Sequence, residues 1–517
     1  MSSEMLRSIQ GLSGRQRCFY RRFFSAATSK YKLINRIRTP IEAGQALFET
    51  RPNLLKPGEL TPGISAKEYY QRRVNLARRM PSKSCAILAG SQIKYASGAV
   101  FYPFQQNNNM YYLSGWNEPD SVMLLEKPTD DLNDIVFHMI VPPKDSFAEQ
   151  WEGTRTGIDG VKEIFNADEA ADLSVLSLYI AKIIRRNDIL YFDAPKDKTT
   201  VSNPGLFSSF FSYHTTANGH QTVYDVIKDA GTMKKVRNLN KVIADLRKIK
   251  SPAELRVMRR AGQISGRAYN QAYATRFKNE RTLQAFLEYN FISAGCDRSA
   301  YVPVVATGSN ALCIHYTRND DVMYDDEMVL VDASGSIGGY CTDISRTWPV
   351  NGQFTNPQRD LYEAVLNVQK ECMELFKASK GYSIHDIHEK SVDFMKIELR
   401  NVGFNDIQKW DVNKLYPHYI GHHLGLDVHD VPEVSKTKPI EEGQVITVEP
   451  GVYVPDDQNY PSHFHNIGIR IEDDIAVGID SYTNLTIEAA KEIADLEHIM
   501  EHGVMQKIEK DVISPLS

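Results

Sequence analysis

Four segments in the C-terminal half of the chain alternate apolar and polar residues as strands do, and each carries an acid where a neutral or apolar residue would be expected. The acids are Asp332 after Met-Val-Leu-Val, Asp343 eleven residues later, Glu449 in VITVEPG and Glu472 in IRIEDD. A carboxylate is costly to bury unless it is paired or coordinated. The chain must therefore fold so that these four acids meet groups that compensate their charge.

The turn sequence SGSIGG separates the two aspartates. If this turn closes a hairpin, Asp332 and Asp343 lie nearly opposite each other on adjacent strands, where two like charges repel. The alternative is that one of them merely caps the turn. Two divalent cations would balance all four carboxylates, and such a pair could also activate a water molecule.

A histidine cluster could complete such a metal site. The stretch YPHYIGHHLGLDVHD, residues 416 to 430, contains four of the fourteen histidines of the chain. Imidazole is the commonest metal ligand and also transfers protons near neutral pH, although histidines can equally be packing residues. Oxygen-rich ligation with one imidazole favours two Mn²⁺ ions, while cobalt, iron and zinc stay possible.

Composition limits the other classes of function. The 517 residues suggest two or three domains, and a net charge of -5 gives no basic field for nucleic acid. The six cysteines are scattered without a Cys-x-x-Cys pair, which fits a reducing compartment. We find no apolar run that approaches the length of a transmembrane segment.

The first forty residues differ from the rest of the chain. Residues 1–40 contain Glu4 as their single acid against nine basic residues, with serines and aromatic residues between them. This composition is typical of a mitochondrial presequence, and a disordered basic tail is the alternative. RRFFSAATS, Arg21 to Ser29, is similar to the region where such presequences are cleaved. We therefore predict import into mitochondria.

Two folded domains are predicted after this segment. Residues 62–240 contain an amphipathic helix around Ala66 to Met80 and the apolar strands CAILAG, SVMLLEK, DIVFHMIVPP and DILYFDAP, which indicates a mixed α/β domain. A second domain is predicted over residues 250–500, because Ser251, Pro252 and Glu254 form a helix-start signal with a capping box.

The second domain is predicted to be α+β. One helix is expected behind Asn356 as its cap, and another from Ser383 to about Gly403. We predict antiparallel strands between the helices, at MVLVDAS, YCTDISRTW, VITVEPGVYV and IGIRIEDDIAV.

The motifs VDASGSIGGYCTDISRTW, GHHLGLDVHD, TVEPGVY and GIRIEDD resemble those of the "pita-bread" metallopeptidases, specifically the aminopeptidase P group. The resemblance covers about residues 65–495, and PFQQNNNMYYLSGWNEPDSVMLL and WEGTRTG are similar to the creatinase-like N-terminal domain of these enzymes. It implies a creatinase-like α/β domain followed by a pita-bread catalytic domain. The implied metal ligands are Asp332, Asp343, His422, Glu449 and Glu472.

The resemblance also implies roles beside the ligands. His429 matches a histidine that contacts the scissile carbonyl and stabilises the oxyanion, although a structural histidine is the alternative. His315 matches a histidine on the substrate side of the metals, and His418 matches a further pocket histidine. Glu449 is expected both to bind metal and to move the proton from the attacking water to the leaving amine.

The residues next to these positions are expected to support the site or to lie outside it. We expect His423 to pack in the interior, because adjacent residues of an extended segment point to opposite faces. Arg470 either orients the carboxylates or is a surface arginine. Asp473 and Asp474 are expected to be turn or surface charges rather than ligands.

The implied activity is metal-dependent removal of one residue from a peptide N-terminus. Classical members of the group require proline in second position, whereas a mitochondrial subgroup, the intermediate-cleaving aminopeptidases, removes one bulky residue such as Tyr, Phe or Leu after presequence cleavage. The import signal favours this subgroup. Lys436 and Lys438 occupy a region where relatives often carry arginine, and this departure argues against a requirement for proline. The location would be the mitochondrial matrix, with peripheral contact with the inner membrane left open.

Several alternatives stay open. A general Xaa-Pro aminopeptidase, a prolidase-like dipeptidase and a methionine aminopeptidase would use the same metals, and a creatine-hydrolysing relative would use none. An inactive interaction protein with this fold is the alternative outside enzymes. A homodimer is expected from the resemblance alone.

Overall fold

The computed structural model describes residues 42–193 and 219–516. The predicted presequence, residues 1–40, lies outside the described residues. Within the described part of the chain, no helix combines the length and the apolar composition needed to cross a membrane.

The N-terminal half contains ten strands and seven helices among its described residues. The strands are β1 (Glu59–Thr61), β2 (Ile64–Ser65), β3 (Ser84–Ala89), β4 (Tyr95–Ser97), β5 (Val100–Phe101), β6 (Val122–Lys127), β7 (Val136–Val141), β8 (Glu169–Asp172), β9 (Ile189–Tyr191) and β10 (Val236–Arg237). The helices are α1 (Ala66–Arg78), α2 (Asn108–Ser114), α3 (Ser146–Glu152), α4 (Gly157–Glu163), α5 (Leu176–Arg186), α6 (Gly219–Asp229) and α7 (Asn240–Arg247).

Six of these strands form one mixed sheet in the order β10-β9-β3-β6-β7-β8. The central strands β3 and β6 are buried along their whole length, because helices cover both faces of the sheet and apolar residues fill both sides. The four predicted apolar strands correspond to β3, β6, β7 and β9. The helix predicted around Ala66 to Met80 is α1, which begins after Ser65, whose side chain accepts a hydrogen bond from the Glu68 amide.

The C-terminal half alternates helices with short antiparallel strands, as predicted. The strands are β11 (Arg298–Ser299), β12 (Val304–Thr307), β13 (Met328–Asp332), β14 (Gly335–Ile337), β15 (Tyr340–Cys341), β16 (Ser345–Pro349), β17 (Val445–Val448), β18 (Gly451–Val454), β19 (Ile467–Arg470), β20 (Asp473–Val477) and β21 (Tyr482–Asn484). The helices are α8 (Pro252–Tyr273), α9 (Glu280–Ser293), α10 (Asn356–Met373), α11 (Ile384–Asn401), α12 (Lys409–Leu415) and α13 (Ile493–His502).

Local capping signals set the ends of the long helices. Ser251 and Glu254 form the predicted capping box at the start of α8. Ser383 caps α11 as predicted. The cap of α10 is Thr355 rather than Asn356, because the Thr355 hydroxyl accepts from the Gln358 amide and Gln358 returns a bond to the cap.

The predicted hairpin is present, but its register differs from the simplest expectation. β13 and β16 are antiparallel neighbours, and Asp332 faces Ser345 across the pair. Asp343 lies two residues before Ser345, so it continues along the same side of β16. The intervening turn forms its own small sheet, in which β14 pairs with both β11 and β15.

One apolar core joins the two halves of the described chain. Leu60, Tyr69 and Trp116 from the N-terminal half belong to the same buried cluster as Val257 and Leu361. Buried ion pairs cross this boundary as well, between Arg72 and Glu254 and between Arg247 and Asp430. The sequence suggested two separate domains, and the boundaries 62–240 and 250–500 stay a prediction.

Candidate metal centre

The four predicted acids lie at strand ends that converge on one place. Asp332 ends β13 and Asp343 precedes β16, while Glu449 directly follows β17 and Glu472 lies between β19 and β20. Asp343 and Glu472 are buried, and Asp332 and Glu449 are partly buried. Each acid therefore lies at or next to a strand end, and the strand ends bring the four carboxylates together.

A tyrosine hydroxyl bridges the two aspartates. The Tyr301 hydroxyl oxygen lies 2.5 Å from Asp332 Oδ1 and 2.6 Å from Asp343 Oδ1. A hydroxyl has one proton and can donate it to only one of the two carboxylates at a time. The other short oxygen contact therefore requires a further positive charge or proton nearby.

Arg470 and Ser345 connect the opposite sides of the cluster. Arg470 Nη2 donates to Asp332 Oδ2 at 2.7 Å, and its Nε donates to the Ser345 hydroxyl at 2.9 Å. The same hydroxyl donates to Glu472 Oε2 at 2.7 Å. Arg470 is 2 % exposed, so it orients the carboxylates and is not a surface arginine.

His422 faces the acids with one ring nitrogen and the backbone with the other. Its Nδ1 lies 3.1 Å from the His423 carbonyl oxygen and can donate to it. This bond leaves Nε2 with a lone pair, and Nε2 lies 3.6 Å from Asp343 Oδ2 and 3.5 Å from Glu449 Oε1. A backbone bond that fixes the tautomer is typical of histidines that bind metal.

The pKa values in this cluster are shifted by burial and, after it, by neighbouring charges. Burial raises the pKa of Asp343 and Glu472 well above their usual range, and the neighbouring carboxylates raise them further. Burial, and then the charge of Asp332, raises the pKa of Glu449 to about 8 despite the opposing effect of Arg470. Burial lowers the pKa of His422 to about 4, so its ring is neutral at pH 7 and able to bind a cation.

The donor set fits divalent metal ions. Glu472 Oε1 is buried and has no hydrogen-bond partner, although its sister oxygen does. Ligand atoms of Asp343, His422 and Glu472 all lie within 4.8 Å of one another. Four carboxylates with Arg470 as their paired cation leave an excess of negative charge, which divalent ions would offset.

The three other predicted histidines lie around this cluster. His418 Nδ1 is 3.7 Å from Glu449 Oε2, and its Nε2 is 2.9 Å from the Tyr453 hydroxyl. The rings of His429 and His422 meet edge-to-face with centroids 4.4 Å apart. His315 lies on an exposed loop, and its charge, after burial, contributes to the lowered pKa of His429.

The expectation for Asp473 and Asp474 was wrong in one respect. Both are fully buried in β20 rather than in a turn or on the surface. Asp473 pairs with Arg346 at 2.6 Å and with Lys491 at 2.5 Å, and Asp474 Oδ2 accepts a bond from the Asp343 amide at 3.0 Å. The acidic run after a strand resembles a solvated turn in sequence, and only the tertiary packing reveals its partners.

His423 is buried, and the charges that act on it most are those of Lys250 and Asp430 rather than those of the four acids. Its backbone pairs with Ile446 of β17. The two adjacent histidines therefore have different surroundings, with His422 in the acid cluster and His423 in the interior.

Sequence reasoning missed several residues of this site. They are Tyr301, Ser345, Thr447 and Tyr453, which hold the acids and His418 through their hydroxyl groups. Ser345 could have been inferred, because it lies two residues from Asp343 and therefore on the same face of an extended chain. Tyr301 carries no such signal, since it is distant in sequence from every acid.

Comparison with known proteins assigns the chain to a family. Residues 256–478 match the model of metallopeptidase family M24, and residues 69–191 match that of the aminopeptidase P N-terminal domain. Intermediate cleaving peptidase 55 of Saccharomyces cerevisiae is 64% identical over 482 residues, which cover 93% of each chain. The chain belongs to metallopeptidase family M24.

Solved structures of this M24 peptidase's relatives have the same fold. Icp55 from Saccharomyces cerevisiae, lacking its N-terminal 58 residues, aligns with a TM-score of 0.78 at 61% identity, over 86% of this chain and all of that one. Escherichia coli aminopeptidase P aligns with a TM-score of 0.76 at 29% identity and the same coverage. The predicted family, the creatinase-like and pita-bread fold, and metal-dependent aminopeptidase activity on peptides are thereby confirmed.

Proposed function

We propose that this M24 peptidase removes a single bulky residue, such as Tyr, Phe or Leu, from the N-termini of imported mitochondrial proteins after their presequences have been cleaved. The observation that carries this proposal is the convergence of four acids and His422 on one buried cluster, in a chain 64% identical to an intermediate cleaving peptidase.

We assign the metal ligands to Asp332, Asp343, His422, Glu449 and Glu472, and the metals to two Mn²⁺ ions. The distances around His422 and the unpartnered Glu472 Oε1 support this ligand set. Four carboxylates and one imidazole favour manganese over softer metals.

The chain's own residues prepare the reaction around this centre. When bound, the metal pair supplies Lewis acidity that activates a water molecule toward the peptide carbonyl. Glu449 accepts the proton of that water and returns it to the leaving amine. His418 lies beside Glu449, with Nδ1 bonded to the Tyr419 carbonyl oxygen at 2.9 Å and Nε2 bonded to the Tyr453 hydroxyl.

Two histidines face the substrate in this proposal. His429 is exposed beside His422 and donates a hydrogen bond to the oxyanion that forms at the scissile carbonyl. His315, on its exposed loop, orients the peptide.

The cellular setting follows from the sequence and from the relatives. A relative from Arabidopsis thaliana, 34% identical over 467 residues, is named as a mitochondrial intermediate cleaving peptidase. The basic, acid-poor residues 1–40 are a presequence in this proposal, followed by domains over 62–240 and 250–500 in the matrix. We also propose that the enzyme is a homodimer, which light scattering of the purified protein would test.

A peptide panel tests the substrate preference. The manganese-loaded protein is assayed on peptides that begin Tyr-Ser, Phe-Ser, Leu-Ser and Ala-Pro, and the released amino acid is identified by mass spectrometry. Release of one bulky residue from the first three peptides is the expected result. Hydrolysis of Ala-Pro alone would instead make the protein a general Xaa-Pro aminopeptidase, as the name of a Mus musculus relative at 35% identity suggests.

Metal content is measured on the same preparation. Inductively coupled plasma mass spectrometry is expected to find two ions per chain after loading with Mn²⁺. If the protein were inactive and bound fewer ions, the alternative hypothesis of an interaction protein with this fold would be supported.

A further inference from the structure

Glu280 is a fully buried carboxylate that no metal ligand touches. It begins α9 and has 0 % exposure. Among the described residues, no lysine or arginine forms an ion pair with it. A buried carboxylate without a cation is tolerated only when hydrogen bonds satisfy both of its oxygens.

Five donors from a single loop satisfy these oxygens. Glu280 Oε1 accepts from the Thr307 amide at 2.9 Å, the Thr307 hydroxyl at 2.7 Å and the Asn310 side-chain amide at 3.2 Å. Its Oε2 accepts from the Tyr316 hydroxyl and the Asp321 amide, each at 2.9 Å. The carboxylate therefore ties both ends and the middle of residues 307–321 to one point.

This loop carries His315. Ile314 and Tyr316 on either side of His315 pack against an apolar cluster that includes Tyr453, which in turn holds His418 and Arg470. Glu280 thus fixes Tyr316, and packing fixes Ile314, while His315 itself stays exposed.

We propose that Glu280 is a positioning residue that presents His315 to the substrate of the metal centre. This inference rests on the role given to His315 in the proposed function. Charged hydrogen bonds to a buried carboxylate are stronger than neutral ones, so they hold residues 313–321, which form no strand or helix of their own. Small displacements of a group that orients substrate are costly to catalysis.

A double-mutant cycle tests the proposal. In Glu280→Gln the Oε2 acceptor becomes an amide NH₂ that cannot accept from the Asp321 amide. We expect kcat/KM on the best peptide to fall by about 10- to 100-fold, while the metal content stays that of the wild type. In the His315→Ala background the same change should lower kcat/KM by less than about twofold. Equal losses in both backgrounds would show that Glu280 acts only on general stability, and would overturn the proposal.

A second readout does not depend on activity. Arg318 lies in the loop with its side chain 78 % exposed, and trypsin can cut after it when the loop opens. Glu280→Gln should speed this cleavage by about tenfold, whereas the control Glu288→Gln, on the same helix with one long bond to Ser299, should not. Unchanged cleavage in Glu280→Gln would overturn the proposal even if the wild type cleaved none of the peptides.

A milder variant covers the case in which Glu280→Gln fails to fold. Tyr316→Phe removes one of the five donors and keeps the carboxylate. It should lower kcat/KM in the same direction by a smaller factor, and should have no effect in the His315→Ala background. An equal effect in both backgrounds would again contradict a positioning role.

Discussion

Two groups of buried acids lie within the same half of this molecule, and they are compensated in opposite ways. At the metal centre, burial raises the pKa values of Asp343 and Glu472, and neighbouring carboxylates raise them further. Asp430 is equally buried, but Lys250 Nζ lies 2.9 Å from one of its oxygens and Arg247 Nη2 lies 2.5 Å from the other. Burial alone would raise the pKa of Asp430, and these two cations outweigh it and lower the pKa.

The same contrast occurs between two consecutive residues. Glu472 belongs to the metal centre and has an unpartnered oxygen. Its neighbour Asp473 points to the other side of β20, where Arg346 and Lys491 lower its pKa despite burial. Asp430 and Asp473 are paired with cations of the chain and are structural. The acids of the metal centre carry more negative charge than Arg470 offsets, so they form a site that needs further cations.

The largest effect should come from removing a metal ligand. Asp343→Ala is expected to lower kcat/KM by about 10,000-fold or more, because residues of one catalytic unit lose function together. Metal content should fall in the same variant. Steady-state assays on a Tyr-Ser peptide check the first expectation and mass spectrometry checks the second. Wild-type activity in Asp343→Ala would remove Asp343 from the ligand set.

Removing the structural acid should act on stability instead. Asp430→Ala leaves Lys250 and Arg247 buried without their partner, which should lower the free energy of unfolding by about 3–5 kcal/mol. Urea denaturation of the metal-free protein measures this change. Asp427→Ala is the matched control, because Asp427 also pairs with Arg247 but is 44% exposed, and its loss should cost about 1 kcal/mol or less. Equal losses of unfolding free energy in Asp430→Ala and Asp427→Ala would contradict the structural role of the buried acid.

Removal of the metal should lower the stability of the protein through the acids of the metal centre. Mn²⁺ at one hundred times its dissociation constant should stabilise the wild type by about 2.7 kcal/mol for each site. A chelator should reverse this gain, and Asp343→Ala should gain less from added metal. Thermal unfolding with and without chelator provides the measurement. A wild type whose unfolding temperature ignores Mn²⁺ would show that its acids are compensated in another way.

The sequence could predict the acids of the metal centre because each one breaks an alternating pattern. Asp332 follows four apolar residues, and burying an acid there demands an explanation within the sequence itself. The antiparallel strands and the starts of α8 and α11 were predictable for a similar reason, since alternation and caps are local signals. Asp473 and Asp474 could not be placed, because their partners Arg346 and Thr342 are more than a hundred residues away.

Hydroxyl groups were the hardest part of the site to predict. Tyr301 and Tyr453 look like ordinary core tyrosines in the sequence, and only the fold brings them to the acids and to His418. Glu280 is a similar case, because a glutamate in the first turn of a helix is common and needs no buried partner. Local patterns thus locate the ligands, while the groups that hold the ligands depend on tertiary structure.

The smallest effect concerns a compensated acid in the N-terminal half. Burial would raise the pKa of Glu126, but hydrogen bonds from His138, Arg186 and Asn187 outweigh it and lower the pKa from 4.5 to about 2. A lowered pKa means that Glu126 stabilises the fold fully above pH 4.5 and loses this contribution as the pH falls toward 2. Glu126→Gln should therefore flatten the loss of stability in this window by about 1 kcal/mol, since Arg186 is half exposed and its pairing is screened. The midpoints of urea denaturation of the metal-free wild type and variant, measured at several pH values, give this difference. The acids of the metal centre contribute equally to both proteins, so their contribution cancels. If the stability of the wild type and of Glu126→Gln fell in parallel with pH, Glu126 would not be held ionised by its partners. The contrast between Glu126 and the acids of the metal centre would then be weaker.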